Sequence, residues 1–526
     1  MRGPFGRSVH GVHPTTTVRV EVAGPVVPAW QLRCIEALRA LEGVAVAVHA
    51  GRSPYRAPRG PARWLLGPAL APVALPDAAR APVAPADTAL AAAAASGAGA
   101  GVVVDLTGCA AVGDRETLRL RLGEDDDPRW PFAREIARGD AAVELALIRR
   151  AVGRETVVRG GRFRVTPSYG GTLRRALFAA AAWPALVVAA RREGARFAET
   201  ETGAPAPRGS LGAGARARFG ASLAGRLAGH AVKTLFERAQ WNVGFARAEP
   251  RALLAGEALA VDWLPDPPPG TFVADPFVVT REGRRVLFVE QYDESRGRGI
   301  IEALELGDNG AVIERRDALE LATHLSYPYP VEIDGELYLV PENAAGGEAA
   351  LYRCVAFPWR WEREAALLPN FDALDTTLFP HAGRWWAFCT RASHGSDFAL
   401  HAFHAGGPRG PWRAHALNPI VEDVTRARPA GGPFVVDGAL YRPGQDCSVS
   451  YGGGLTIARV DELSPEAYRE TVVARVDTRR FGRYAGGVHT VGVTPAGLVF
   501  DGKRLTFDPF KPFAGVRIPL PRRRRR

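Results

Sequence analysis

The chain has 526 residues, 47% hydrophobic and 23% charged, with a formal charge of +11. The length exceeds one ordinary core and implies at least two domains of a water-soluble, globular type. The charge excludes less than it suggests, because a terminal PRRRRR run supplies five of the eleven positive charges. The other basic residues are dispersed and no recognition motif accompanies them, so nucleic acid is excluded as a partner.

Residues 1–200 read as an N-terminal α/β domain. A strand at 17–24 (TVRVEVAG) precedes a helix containing WQLRCIEALRAL, and a second strand, VAVAVHAG, ends at Gly51. A Pro/Ala-rich stretch at 57–100 leads to GVVVDLTG, a buried strand that reaches Asp105. Continuous apolar strands alternating with helices predict a parallel sheet. Helices are expected over 132–150 and 176–192. The apolar run ALFAAAAWPALVVAA is too short to span a bilayer and carries Pro184, so it reads as a buried helix. Residues 201–218 form a Gly/Ala/Pro linker. A helix at 223–239 then leads into WNVGFAR, a strand placed to close a ring.

Five cysteines (34, 109, 354, 389, 447) are scattered and odd in number, which predicts reduced thiols and no zinc site. The N-terminus MRGPFGRSVHGVHP carries no apolar h-region, so a cytoplasmic protein is expected. The Arg-rich tail, 516–526, offers peripheral contact with an anionic membrane at the inner face.

Residues 219–515 read as an all-β, five-bladed propeller. Five hairpins centre on Gly283, Gly335, Gly383, Gly438 and Gly497, spaced at the period of a propeller blade. Eight residues before each glycine stand Asp275, Tyr327, Asp375, Ala430 and His489. Seven residues after it stand Glu290, Glu342, Thr390, Gln445 and Arg504. A hairpin returns to its starting level, so both positions share one end of the blade, at one mouth of a funnel. Asp275, Asp375, Glu342 and Glu290 are the catalytic candidates, since neighbouring carboxylates separate one another's pKa values into acid and base. His324, Tyr327, Asn343, Arg428, Arg442, Gln445, Asp446, His489 and Arg504 are the candidates for substrate binding. Phe277, Tyr292, Tyr329, Trp385, Trp386 and Tyr451 add faces on which a sugar ring can stack. No metal and no cofactor is expected.

The segments FVADPF, HLSYPYP, YLVPEN, LDTTLF, GRWWAF, GPWRAHALNP, RPAGG and LYRPGQDCSVSYG carry a resemblance. This half of the chain resembles the five-bladed propeller of arabinanase- and xylosidase-type glycoside hydrolases. More closely it resembles the N-terminal region of plant glucosamine inositolphosphorylceramide transferases and their bacterial relatives. The hydrolase likeness implies that Asp275 is a general base and that Asp375 orients substrate and modulates the acid. At the acid position this chain reads Arg428-Pro429-Ala430-Gly431-Gly432, with no carboxylate.

That departure favours glycosyl transfer in bacterial surface-glycan or glycolipid assembly. Arg428, His489 and Arg504 would then face an anionic leaving group from a sugar nucleotide or glycolipid. The alternatives are a glycoside hydrolase with Glu342 or Glu290 as a displaced acid, and a glycan-binding propeller without catalysis. The N-terminal domain is similar to formyltransferase domains through GVVVDLTG and GDAAVELALIRR. It lacks their Asn–His–Asp set, which implies a non-catalytic module.

Overall fold

The computed structural model describes residues 16–50, 72–74, 101–107, 115–124, 130–201, 212–509 and 511. Most of the 57–100 stretch, most of the expected linker, Cys109 and the basic tail lie outside the described residues.

The N-terminal region is built on Thr16–Val22, whose alternate valines are buried. This strand pairs in parallel with Val44–Ala50 on one side and Val102–Asp105 on the other. Thr117–Leu122 adds a further parallel strand, but Ala142–Ala151 and Arg154–Arg164 continue the sheet antiparallel. The sheet is therefore mixed, a correction to the parallel sheet that the strand–helix alternation and the formyltransferase resemblance implied. The expected helix at 132–150 is corrected with it. Helix Ala133–Arg138 stops at Gly139, which takes a left-handed φ of 97°, and AVELALIRRA is a strand. Its Ala, Glu and Leu favour a helix in isolation, but strands on both flanks override that preference.

Helices Ala29–Arg39, Tyr169–Ala180 and Trp183–Arg192 cover the sheet with Trp30, Ile35, Leu38, Leu173, Leu177 and Trp183. The run Tyr169–Arg192 is long and apolar enough to cross a membrane by length and composition. Its most apolar window is 67% buried inside the protein, so it serves as core.

The C-terminal region is propeller-like and all-β. Four separate sheets each have four antiparallel strands; two of them begin at Thr271–Arg281 and Ser326–Ile333 and one at Phe434–Val436. The fourth joins chain-distant strands. Glu237–Ala246, the strand read as closing the ring, pairs over its whole length with Gly497–Phe507. Five separate blades were expected, and the count is corrected to four. The third hairpin, Ala373–His381 with Arg384–Arg391, continues through Ala399–Ala405 into Val421–Asp423. That last strand pairs in parallel with Arg154–Arg164, so the sheet runs on into the N-terminal region as one of twelve strands.

Four hairpins turn on two residues that both have positive φ: 282–283, 334–335, 382–383 and 437–438. Such turns match the twist of the flanking strands. The last hairpin differs, because Gly497 is itself a strand residue, paired with Thr494.

The junction of the two regions is ionic as well as apolar. Arg159 donates to Glu422 (2.8 Å) and to the carbonyls of Leu417 and Pro419, while Arg175 reaches Asp397 at 2.6 Å. A cavity of about 390 Å³ opens beside this junction, lined in part by Arg159, Glu422, Arg426 and Glu470 and by none of the predicted site residues. Arg159→Met leaves Glu422 buried without its cation. We expect a loss of about 2–3 kcal/mol in denaturant unfolding, and an unchanged midpoint would show that the apolar contacts alone hold the junction.

Candidate active site

The site begins with a backbone irregularity used three times. On the inner strands of three hairpins the pairing slips by one residue, between Ala274 and Phe277, between Ser326 and Tyr329, and between Leu374 and Thr377. Each slip is a β-bulge, and each holds a non-glycine residue at positive φ: Asp275 at 52°, Tyr327 at 44° and Asp375 at 51°. That conformation costs on the order of 1–3 kcal/mol per residue and recurs where it aims a side chain. Here it turns two aspartates inward and sets the Tyr327 amide against Asp275.

Asp275 is 4% exposed. Its carboxylate accepts from the Thr490 hydroxyl (2.7 Å) and the Tyr327 N–H (3.1 Å), and lies 3.6 Å from His489 Nδ1. Burial, opposed by His489 and reinforced by Asp375 and Asp501, raises its pKa to about 6. His489 binds the fully buried Asp501 through Nδ1. Asp501 also accepts the backbone N–H groups of His489, Thr490 and Asp275. Burial pulls the imidazolium down, but Asp501 and Asp275 outweigh it and raise the His489 pKa.

Asp375 forms a second half of the cluster. Arg428 grips it with two donors at 2.6 and 3.2 Å and reaches Glu342 at 3.3 Å. Gln445 donates to Asp375 at 2.9 Å, and the Asp375 N–H points to Glu342. Burial, with Asp375 adding to it and Arg428 only partly opposing, holds Glu342 well above the usual carboxylate range. Glu290 is held high as well, by burial first and then by Asp275, Glu342, Asp375 and Asp501. Its polar neighbour is His324 Nε2 at 3.4 Å; His324 Nδ1 accepts from the Gly299 N–H, which places the ring proton on Nε2. Burial lowers the His324 pKa, so this imidazole stays neutral.

The four predicted carboxylates and His489 therefore act on one another within one cluster. Arg504 does not join it. It is 35% exposed and bonds Asp266. Counting a constant offset from each turn glycine misplaced it: Gly497 lies in the strand, so the matching position falls one residue earlier, on Lys503. A one-residue shift sends a strand side chain to the opposite face. Lys503 is buried, donates to the Ser450 hydroxyl and the Tyr451 carbonyl, and is lowered by burial to about 8.

Arg442 is also elsewhere, sealed against Glu470 and Tyr468 inside its own sheet. Asp446 binds Ser448 and Arg475, and Asn343 binds Thr323 and caps the short turn Ala344–Gly346. Tyr327 contributes its amide, while its hydroxyl is taken by Thr377 and the Gly431 N–H. Arg504→Ala is expected to change stability by less than about 0.5 kcal/mol and leave turnover intact; a tenfold fall in turnover would restore it to the site.

Sequence reasoning missed Asp501, Thr490 and Trp241, whose ring stacks on His489 at 4.0 Å. Asp501 lies only four residues after Gly497, off the counted offset, although a carboxylate in the apolar run GLVFDG was a signal. Among the aromatic candidates, Trp386 is buried packing. Tyr451 is 44% exposed, with its ring under the Arg428 guanidinium (5.0 Å) and against His489 (5.3 Å).

Among the described residues, Asp275, His489 and Asp501 are the group whose ligand atoms lie close enough to share a metal ion. Their atoms also bond one another, Thr490 and backbone amides. Four cysteines, Cys34, Cys354, Cys389 and Cys447, are free thiols.

The fold and cluster define a propeller-like protein with a buried cluster of carboxylates around one histidine and one arginine. Residues 264–489 match the family described as glucosamine inositolphosphorylceramide transferase 1, N-terminal. The glucosamine inositolphosphorylceramide transferase 1 of Oryza sativa subsp. japonica is 36% identical over 211 residues, 39% of this chain and 28% of that protein. Its namesake in Arabidopsis thaliana is 35% identical over 217 residues, with the same shares. The chain thus spans less than a third of the length of these relatives. Among solved structures, an exo-β-1,3-galactanase from Phanerochaete chrysosporium with bound β-1,3-galactotriose aligns at 12% identity and a TM-score of 0.31, over 40% of this chain and 53% of that one. A family 117 glycoside hydrolase from Zobellia galactanivorans aligns at 11% and 0.33, over 52% and 92%.

Proposed function

We propose that the chain is a carbohydrate-active enzyme that makes or breaks a glycosidic bond by general acid–base catalysis. The observation that carries this reading is the buried cluster itself, in which Asp275, raised to about 6, lies with Glu290 and Glu342, which burial and their neighbours hold well above the usual carboxylate range. Asp275 accepts the proton of the attacking hydroxyl. Glu290 is the preferred proton donor, because Glu342 is already engaged by Arg428 and Asp375. A protonated carboxyl near an ionised one is the requirement for cleaving a poor leaving group.

Transfer to or from a glycolipid is favoured over hydrolysis by the likeness to proteins named as transferases. The separate cationic side expected for an anionic leaving group finds no support: Arg428, His489 and Arg504 are each paired with a carboxylate. The plant origin of these relatives gives the bacterial setting no support. The N-terminal region is proposed as a non-catalytic module fixed to the propeller edge.

The test is turnover with sugar-nucleotide donors and glycolipid acceptors, beside a panel of aryl glycosides. Sugar transferred to lipid supports the reading as stated, free sugar from a neutral glycoside converts it to hydrolysis, and binding without turnover reduces the site to a lectin. The pH–rate profile should be bell-shaped. Its acid limb lies near pH 6, where Asp275 must lose its proton, and its alkaline limb marks loss of the donor's proton. Glu290→Gln should remove the alkaline limb and slow turnover about a hundredfold. An unaltered limb would pass the role to Glu342.

A further inference from the structure

The long helix Ala213–Phe236 is held at its two ends and bare between them. Near its start, Phe219 wedges against Tyr169 (5.0 Å) and Trp130 (6.2 Å), and Arg226 donates to the Asp140 carbonyl. At its end, Phe236 packs on Phe507 at 5.5 Å and its carbonyl accepts from the Asp508 N–H. Every residue over 227–235 is exposed, so among the described residues nothing buries these two and a half turns of helix. This span is apolar: Leu227 is 59% exposed, Val232 52% and Leu235 47%, with Phe507 beside them at 69% and Leu505 at 42%. The helix carries Arg216, Arg218, Arg226 and Lys233, and no acidic residue. Its last turn runs directly into the strand Glu237–Ala246, whose Trp241 stacks on His489 of the cluster and lies under the Lys503 ammonium, so the helix ends at the rim of the site.

We infer that this face docks the protein on an anionic lipid surface. Exposed Leu and Val on a helix that carries cations and no acid of its own suit the boundary between acyl chains and acidic headgroups, where long basic side chains reach the phosphates while the apolar ones insert. A second copy of the helix is the poorer partner, because each would present cations to cations with no acid to pair them. The position at the rim brings the site to bound headgroups, which fits a glycolipid substrate. The docking itself stands on the helix and is independent of the catalytic reading.

Flotation of the full chain with phosphatidylcholine vesicles, with and without about one third phosphatidylglycerol, tests this. Binding to the anionic vesicles alone, weakened by salt, is expected. The triple variant Leu227→Glu, Val232→Glu, Leu235→Glu should lose at least about tenfold in partitioning. These side chains are largely exposed, so its melting temperature should match that of the parent, and its turnover of a water-soluble glycoside should be unchanged. A variant lacking residues 522–526 should still bind. Loss of binding on that deletion alone would assign the contact to the tail and overturn the inference. So would equal binding of the triple variant, or light scattering that shows a dimer in the parent and a monomer in the variant. Loss of soluble-glycoside turnover in the Asp275 variant, with vesicle binding intact, would separate the two functions.

Discussion

Asp275→Asn is expected to abolish turnover while leaving the protein at least as stable as before. A general base contributes on the order of a hundred- to ten-thousand-fold to rate, and an amide cannot accept the proton. The stability half of the expectation follows from the direction of the pKa shift. The carboxyl titrates near 3.8 in the unfolded chain and near 6 in the folded one. The folded state therefore holds this proton more tightly, and stability falls as pH rises from about 4 to about 6, then stays level. Asparagine removes that loss and keeps an oxygen to accept from Thr490 or the Tyr327 amide. The melting temperature of the variant should exceed that of the parent most clearly above pH 7 and least near pH 4. Activity retained alongside a large drop in melting temperature would make Asp275 a structural residue. The paired readout matters because a residue in a strained bulge has two ways to be important, and only the catalytic one predicts an inactive protein that is no less stable.

Much of this site was legible from the hairpins alone. The turn glycines fixed register, register fixed which side chains share a level, and the unusual density of carboxylates at that level marked the site. What sequence could not provide was the closure of the network. The bulges at Asp275, Tyr327 and Asp375 leave no mark in composition, since none is a glycine. Arg504 was misplaced because Gly497 follows its two-residue turn instead of lying within it, and Asp501 was missed because it stands before even the shifted position, Lys503. Arg428 was read as a free cation because spacing reports position and not partnership; only coordinates show its guanidinium already held by Asp375 and Glu342. In the N-terminal region the failure was of another kind. The segment AVELALIRRA satisfies a helix locally, and its strand identity comes from neighbours at 117–122 and 154–164. The third hairpin lost its separateness through a three-residue strand, Val421–Asp423, too short to announce itself.

Arg428→Met is the substitution expected to cost most in stability, and its reason bears on the chemistry. Arg428 is itself 9% exposed and is the cation bonded to both Asp375, 2% exposed, and Glu342, 8% exposed. Replacing buried ion pairs with apolar residues can be neutral when all partners change together, but removing one partner leaves an uncompensated charge and costs about 3–5 kcal/mol. Denaturant unfolding of Arg428→Met should show that loss. Arg428→Lys should recover only part of it, because an ammonium cannot reproduce the two-donor grip on Asp375. The double variant Arg428→Met, Asp375→Asn should be more stable than Arg428→Met alone, since the asparagine brings no charge to bury. The coupling between the two sites should be at least about 1 kcal/mol in a double-mutant cycle. Had Arg428 been kept for an anionic leaving group, the single variant would instead melt like the parent and lose affinity for charged donors with a weaker salt dependence. The two results are mutually exclusive in direction, and the geometry of Asp375 and Glu342 around one guanidinium favours the first.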